Sequence, residues 1–194
     1  MIAERSDTLV LFGATGDLAR KKILPSLYRM VQRGVLKEPV IGVALEQWSA
    51  QQMIDRAHEA VAAAGGVDEG VFAAFASLLR YCGGDYRDPA TFEKLRETLG
   101  TARRPLYYLA VPPSMFEPVV QGLEQSGGVA GARLMVEKPF GRDLQSARWL
   151  NRVLHIVFDE ESIFLQGLGH PRQSHRDESL AGLLRPWFQY STKK

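Results

Sequence analysis

The chain has 194 residues, 45% of them hydrophobic and 24% charged, which is typical of a soluble α/β domain with a buried core. Its formal net charge of +2 favours neither a nucleic acid nor a membrane as partner. Cys82 is the single cysteine, which excludes an intramolecular disulfide and a cysteine-cluster metal site. The N-terminus lacks the form of a signal peptide, and no apolar run is long enough to span a bilayer. We therefore expect a cytoplasmic protein.

Strand-like and helix-like segments alternate along the chain. Apolar runs rich in β-formers predict strands, and apolar residues at helical spacing predict helices. In chain order the predicted elements are strand 8–12, helix 18–31, strand 40–44, helix 50–64, helix 68–79, strand 80–83, helix 89–99, strand 105–110, helix 115–125, strand 133–137 and helix 144–158. Ser49 and Asp88 are predicted N-caps, and Pro25 is expected to bend or loosen its helix.

This alternation predicts right-handed crossovers and a Rossmann-like, doubly wound, mostly parallel α/β sheet. Ligands of such sheets bind beyond the carboxyl ends of the strands. We therefore expect one crevice to be lined by the residues that follow the five strands, which are the turn at 13–16, the Leu45–Glu46 corner, the Asp85–Tyr86 corner, residues 111–113, and Lys138 with Pro139.

The turn after the first strand has the order that forms a phosphate-binding cradle. Gly13 permits a tight turn, and Gly16 allows the backbone to approach a pyrophosphate. The N–H groups of the helix that follows then face the anion. Glycine spacing alone is equally compatible with a plain structural turn. The five strand ends that converge on one edge favour a cofactor site.

Four motifs, in order and spacing, closely resemble the glucose-6-phosphate dehydrogenase family. They are Gly-Ala-Thr-Gly-Asp-Leu-Ala at 13–19, Gly-Asp-Tyr at 84–86, Tyr-Leu-Ala-Val-Pro-Pro at 108–113 and Glu-Lys-Pro-Phe-Gly-Arg-Asp at 137–143. The resemblance covers residues 8–164 and corresponds to the coenzyme domain of a longer enzyme. It implies hydride transfer from C1 of glucose 6-phosphate to NAD or NADP, giving the lactone of the pentose phosphate pathway.

The resemblance also implies roles for individual residues. The coenzyme phosphates would be held by Gly13, Ala14, Thr15, Gly16, Asp17, Leu18 and Ala19. Asp85 and Tyr86 would flank the coenzyme. Lys138, before a cis Pro139, would reach both coenzyme and sugar phosphate. Without the family, a solvated lysine at a strand end is the favoured interpretation of Lys138, and a solvated helix face is that of residues 20–22.

The first departure from the family pattern lies after the second strand. NADP-using members carry an arginine or lysine there for the 2′-phosphate, whereas this chain has Leu45 followed by Glu46. A carboxylate accepts a bond from a free 2′-hydroxyl and repels a phosphate. The choice between NAD and NADP therefore stays open, and Thr15 and Arg20 offer partial compensation.

The second departure begins after Phe164, where the family continues Arg-Ile-Asp-His-Tyr-Leu-Gly-Lys and this chain does not. We interpret residues 1–164 as an NAD(P)-binding domain and 165–194, with a net charge of +3, as a poorly structured tail. A reading-frame change is one hypothesis for the tail. The family's sugar-phosphate ligands and general base are then absent, so no catalytic residue is identifiable and no metal site is expected. His170 and His175 in the tail are interpreted as exposed, and no partner is predicted for His58 or His155.

Three functional hypotheses follow. The chain is the coenzyme-binding part of a glucose-6-phosphate dehydrogenase, a non-catalytic nucleotide-binding module or inactive gene fragment, or part of another sugar oxidoreductase of the Glu-Lys-Pro kind. The Gly-Asp-Leu-Ala turn disfavours the last.

Overall fold

The apolar runs form the strands of a single parallel sheet. The computed structural model describes residues 5–136, 144–165 and 184. Its strands are β1 (Thr8–Phe12), β2 (Val40–Ala44), β3 (Leu79–Gly83), β4 (Pro105–Leu109), β5 (Arg133–Val136) and β6 (Ile163–Leu165). They lie in the order β3-β2-β1-β4-β5-β6, and every neighbouring pair is parallel. The predicted doubly wound sheet is confirmed.

Several of the helices begin at a residue whose side chain caps the first turn. They are α1 (Leu24–Gln32), α2 (Ala50–Ala63), α3 (Glu69–Leu78), α4 (Pro89–Leu99), α5 (Phe116–Gln125) and α6 (Leu144–Val157). The Ser49 side chain accepts a bond from the amide of Gln52, whose own side chain accepts from the Ser49 amide. Asp88 caps α4 through the amide of Ala90. Both predicted N-caps are confirmed, because short polar side chains satisfy amides that a helix start leaves unpaired.

Pro25 changes the helix that leads into α1. Proline has no N–H, and in an α-helix its ring would clash with the carbonyl four residues earlier. The backbone instead forms a π-helical turn at Ala19–Ile23, in which the Leu24 amide bonds to the Ala19 carbonyl. The predicted loosening is confirmed. Since π-turns are wider than α-turns, the basic residues that precede Pro25 lie on a widened turn next to the glycine turn.

Two apolar clusters cover the two faces of the sheet, because successive strand side chains point to opposite sides. Leu9 and Leu11 of β1 lie in the first cluster, with α1, α2 and α3. Val10 and Phe12 lie in the second cluster, with α4, α5 and α6. Leu184 is fully buried in the first cluster. Helices therefore cover both faces of the sheet, as parallel strands require.

β6 is the strand that sequence analysis missed. Its three residues are too few to show a strand period, and it becomes a strand only by pairing with β5, where Ile163 lies opposite Leu134. The sequence also predicts Asp143 as the N-cap of α6. This residue and, apart from Leu165 and Leu184, the tail lie outside the described residues. Within the part of the chain that the structure describes, no helix has the length and apolar character to cross a bilayer.

Gly122 of α5 tests the packing of the second cluster. A Cβ built at this position would lie 2.1 Å from the Phe92 ring. Alanine is the better helix former by about 1 kcal/mol, but overpacking of a core costs about 1–3 kcal/mol. We expect Gly122→Ala to lower the free energy of unfolding by about 2 kcal/mol in urea denaturation. The neighbouring exposed Gln121→Ala is the control, expected to change it by about 0.5 kcal/mol or less. A stabilised Gly122→Ala protein would contradict this packing.

Candidate functional site

The turn that follows β1 lies at the point where the strand order reverses. The chain leaves β1 towards β2 on one side, whereas β4 on the other side leads to β5. Gly13 opens this turn with φ of +82°. A Cβ on Gly13 would lie 2.3 Å from the Ala110 carbonyl oxygen, at the end of β4. Only glycine therefore fits here, because both the conformation and the space exclude a side chain.

The backbone amides of this turn divide into two groups. Those of Gly13, Ala14 and Gly16 donate to protein acceptors, namely the Val43 carbonyl for the first two and the Gly13 carbonyl for the third. The amides of Thr15, Asp17, Leu18 and Ala19 donate to no acceptor among the described residues. Four N–H groups at the start of a helix therefore remain for an anion, with the helix dipole adding positive potential.

Asp17 brings a negative charge to the same helix start. Its carboxylate lies 2.8 Å from Lys21 Nζ and 3.4 Å from an Arg20 guanidinium nitrogen. The hydrogen bond and charge of Lys21, with a smaller contribution from Arg20, hold the pKa of Asp17 below its usual range. The two basic residues thus neutralise the charge of the aspartate. The Asp17 carboxylate therefore does not repel a phosphate from the turn. Arg20 is engaged in this pair.

Tyr86, in the corner after β3, contacts the backbone of the glycine turn through its hydroxyl. Its hydroxyl donates to the Val43 carbonyl at 3.0 Å and accepts from the Gly13 amide at 2.9 Å. Burial, together with the Glu46 charge, raises the pKa of Tyr86 to about 12, and donation by the Gly13 amide only partly opposes this. The hydroxyl therefore stays protonated around neutral pH. One side chain links the ends of β1 and β2.

The end of β2 carries an apolar residue and then an acidic one. Leu45 is 65% exposed. The Glu46 carboxylate accepts a bond from the Thr15 hydroxyl at 2.8 Å, and the Glu46 carbonyl accepts from the Tyr81 hydroxyl at 2.7 Å. Glu46 is therefore fixed at the turn by both its side chain and its backbone. Thr15, expected to offer compensation for the missing basic residue, has its hydroxyl on this carboxylate.

The structure brings together the residues predicted at the first three strand ends. Gly13 is hydrogen-bonded to Tyr86, and Thr15, two residues later in the same turn, is hydrogen-bonded to Glu46. The Asp85 side chain is exposed, and its carboxylate accepts a bond from the Arg87 amide at 2.9 Å. Lys138 and Pro139 lie outside the described residues.

Cys82 and His58 take no part in these hydrogen bonds. Cys82 is fully buried, and burial raises the pKa of its thiol. His58 lies 3.1 Å from Glu69 of α3, a partner that spacing along α2 did not reveal. Residues 5–136 and 144–165 contain no group of three acidic, histidine or cysteine side chains that suits a metal ion.

Sequence analysis missed the supporting residues of the site. Val43, Tyr81 and Ala110 act through backbone carbonyls or a distant hydroxyl. Carbonyl groups have no sequence signature, and Tyr81 lies within an apolar run that indicates only a strand. Strand pairing places these groups at the turn, so their role becomes visible only in the folded chain.

Comparisons with known proteins agree on one family. Residues 10–165 match the family model described as glucose-6-phosphate dehydrogenase, NAD binding domain. A glucose-6-phosphate 1-dehydrogenase of Mycobacterium bovis is 43% identical over 158 residues, covering 81% of this chain and 34% of its own length. The crystal structure of a glucose-6-phosphate 1-dehydrogenase from Mycobacterium avium superposes with a TM-score of 0.80 at 46% identity, covering 84% of this chain and 36% of that one.

A glucose-6-phosphate dehydrogenase solved in complex with its substrate glucose-6-phosphate is a further structural match. It has a TM-score of 0.75 and 29% identity, with coverage of 84% of this chain and 37% of that chain. The chain thus spans about a third of the length of the curated relatives it matches.

Proposed function

The chain belongs to the glucose-6-phosphate dehydrogenase family, by its NAD-binding domain, and on that premise we propose that it binds a nicotinamide dinucleotide for the oxidation of glucose 6-phosphate. The solved relative with bound glucose-6-phosphate supports this substrate. The lactone is the expected product. The cytoplasmic location expected from the sequence stays part of the proposal.

The observation that carries the proposal is the set of amides at the glycine turn that donate to no acceptor in the described part of the chain. Four N–H groups lie at a helix start, at the reversal of strand order, where dinucleotides bind in sheets of this kind. Gly13 lets the turn lie against the Ala110 carbonyl at the end of β4, and Gly16 is exposed, so the backbone of the turn is accessible to a pyrophosphate. Basic residues at 20–22 add positive charge nearby.

A dinucleotide bound at this edge would supply the hydride acceptor. The turn at 13–19 would hold its pyrophosphate through the amides, and the end of β2 would recognise the ribose of the adenosine half. Asp85 and Tyr86 would border the site from the β3 side. Lys138, by the family resemblance, would contact both coenzyme and sugar phosphate. We assign no proton-abstracting group among the described residues: His58 lies against Glu69 and Phe72 of α3, and His155 lies exposed on α6.

We propose NAD rather than NADP as the preferred coenzyme. Glu46 is held at the turn by Thr15, where a carboxylate accepts a bond from a 2′-hydroxyl and repels a 2′-phosphate. Leu45 supplies no charge at the position where NADP-using relatives carry a basic residue. Arg20 is already paired with Asp17.

The first prediction concerns the phosphate cradle. Gly16→Val adds a branched side chain at this exposed position, with its Cβ 3.2 Å from the Gly13 carbonyl oxygen, and is expected to abolish dinucleotide binding in isothermal calorimetry. Gly70→Val, at another exposed glycine, is the control and is expected to leave affinity unchanged. Urea unfolding of both variants separates lost binding from lost folding. Equal affinity in a folded Gly16→Val protein would contradict the cradle.

The second prediction concerns coenzyme choice. Leu45→Arg supplies a charge-assisted partner for the 2′-phosphate, an interaction of about 1.5–3 kcal/mol, and is expected to raise NADP affinity about tenfold or more. NAD affinity is expected to change little. Gln47→Arg adds the same charge two residues later, on another exposed side chain, and controls for general electrostatic attraction. A strong NADP preference in the unmodified chain would show that another residue reads the phosphate.

The third prediction concerns catalysis by the 194 residues assayed by themselves. They are expected to bind dinucleotide but not to reduce it with glucose 6-phosphate, because a general base contributes about 10²–10⁴-fold and positioning contributes further. The assay follows coenzyme absorbance with sugar phosphate and either dinucleotide. Sustained turnover that is lost in Lys138→Ala would show a complete active site and overturn this expectation. Binding without turnover is also the behaviour of a nucleotide-binding module.

A further inference from the structure

We propose that Tyr86 is a positioning residue whose hydroxyl fixes the glycine turn and thereby sets the affinity for the pyrophosphate. This inference rests on the proposed dinucleotide site and assigns Tyr86 an indirect role. The tyrosine acts on the ligand through the Gly13 backbone rather than by touching the ligand with its hydroxyl.

The geometry around the hydroxyl is a closed triangle of hydrogen bonds. The Gly13 amide donates both to the Val43 carbonyl at 2.9 Å and to the Tyr86 hydroxyl at 2.9 Å. The Tyr86 hydroxyl donates its own proton to the Val43 carbonyl at 3.0 Å. A phenol has a single O–H, and in Tyr86 this donor is already bonded to the Val43 carbonyl. No proton remains on this oxygen for a phosphate.

The tyrosine ring is itself held in place. It packs edge-on against Phe12, with ring centroids 5.7 Å apart. The corner that carries it is tied to α4, where the Thr91 hydroxyl donates to the Asp85 carbonyl at 2.7 Å. Gly84 lies so close to Thr91 that a Cβ would approach the Thr91 hydroxyl to 2.2 Å. The position of the corner after β3 is therefore fixed by packing and hydrogen bonds, and this fixes the Tyr86 hydroxyl next to the end of β1.

Gly13 is thus held on two sides. The Ala110 carbonyl lies against its α-carbon on the β4 side, and the Tyr86 hydroxyl holds its amide on the β3 side. The free amides at Thr15 and Asp17 follow within four residues, so a shift of Gly13 moves the N–H groups that would face the ligand. Loss of the hydroxyl leaves the Gly13 amide bonded to Val43 alone. The turn then stays folded but is less closely fixed.

The test compares Tyr86→Phe with the unmodified 194-residue chain by calorimetric titration with NAD⁺, ADP and adenosine. Loss of one hydrogen bond that orders the turn is expected to weaken NAD⁺ and ADP about three- to tenfold and to leave adenosine unchanged. Adenosine lacks the pyrophosphate, so the ratio of ADP to adenosine affinity reports the turn itself. Faster hydrogen exchange of the Gly13 amide is expected in the same variant.

Tyr107→Phe is the matched control. Its hydroxyl also donates to a backbone carbonyl, that of Gly128, at 2.7 Å. This variant is expected to lose stability without a change in the ratio of ADP to adenosine affinity. Urea unfolding measures the stability of all three proteins. A general loss of stability therefore cannot imitate the expected result.

The outcomes separate the two proposals. Failure of the unmodified chain to bind NAD⁺ and ADP overturns the proposed function and this inference with it. Binding by the unmodified chain, with unchanged NAD⁺ and ADP affinity in Tyr86→Phe, overturns only the positioning role. An equal loss for ADP and adenosine also overturns it, because the hydroxyl would then act on the nucleoside.

Discussion

The Gly13 amide is the point on which the candidate site depends. It is shared between the Val43 carbonyl and the Tyr86 hydroxyl, while the missing Cβ lets the Ala110 carbonyl lie against the same residue. The ends of β1, β2 and β4 and the corner after β3 therefore meet at one glycine. Any larger residue would separate β1 from β4 at the reversal of strand order. The phosphate-binding geometry is thus a consequence of close backbone packing as much as of loop flexibility.

Internal pairs balance the charges around this point. Lys21 and Arg20 offset Asp17, and Thr15 holds Glu46. Polar side chains at the edge are therefore already oriented before any ligand arrives, which reduces the entropic cost of binding. In the proposed site the backbone amides would attract the pyrophosphate. Glu46 would distinguish coenzymes by repelling a 2′-phosphate, so specificity is expected to depend on repulsion as well as on attraction.

The π-turn connects this edge to the helical layer. Pro25 removes one amide donor and shifts the hydrogen-bond ladder by one residue, so Ala19–Ile23 forms a wider turn directly after the phosphate-binding segment. Such a turn costs helix stability, and here its first and last residues, Ala19 and Ile23, are buried in the first cluster. Asp17, Lys21 and Arg20 are paired across this segment. A proline thus shapes the backbone between the phosphate cradle and α1.

Most of the architecture follows from local sequence pattern. Three short-range signals predict it: apolar runs of four or five residues, helical spacing between these runs, and polar caps such as Ser49 and Asp88. Each of the predicted elements was found. β6 was missed because three residues carry no period and become a strand only against β5. Exact ends also differ: β3 begins at Leu79, one residue before its predicted start, because Leu79 pairs with Val40.

The features of the candidate site likewise divide into those that the sequence predicts and those that only the folded chain reveals. Sequence determined the glycine turn, the acidic residue after β2 and the family, because glycine, charge and motif order can be seen along the chain. Tertiary structure alone decided that Thr15 holds Glu46, that Tyr86 holds Gly13, and that Val43 and Ala110 line the turn. Those contacts join residues about thirty to a hundred positions apart. Their geometry depends on strand order and register, which come from packing of the whole sheet and not from any local preference.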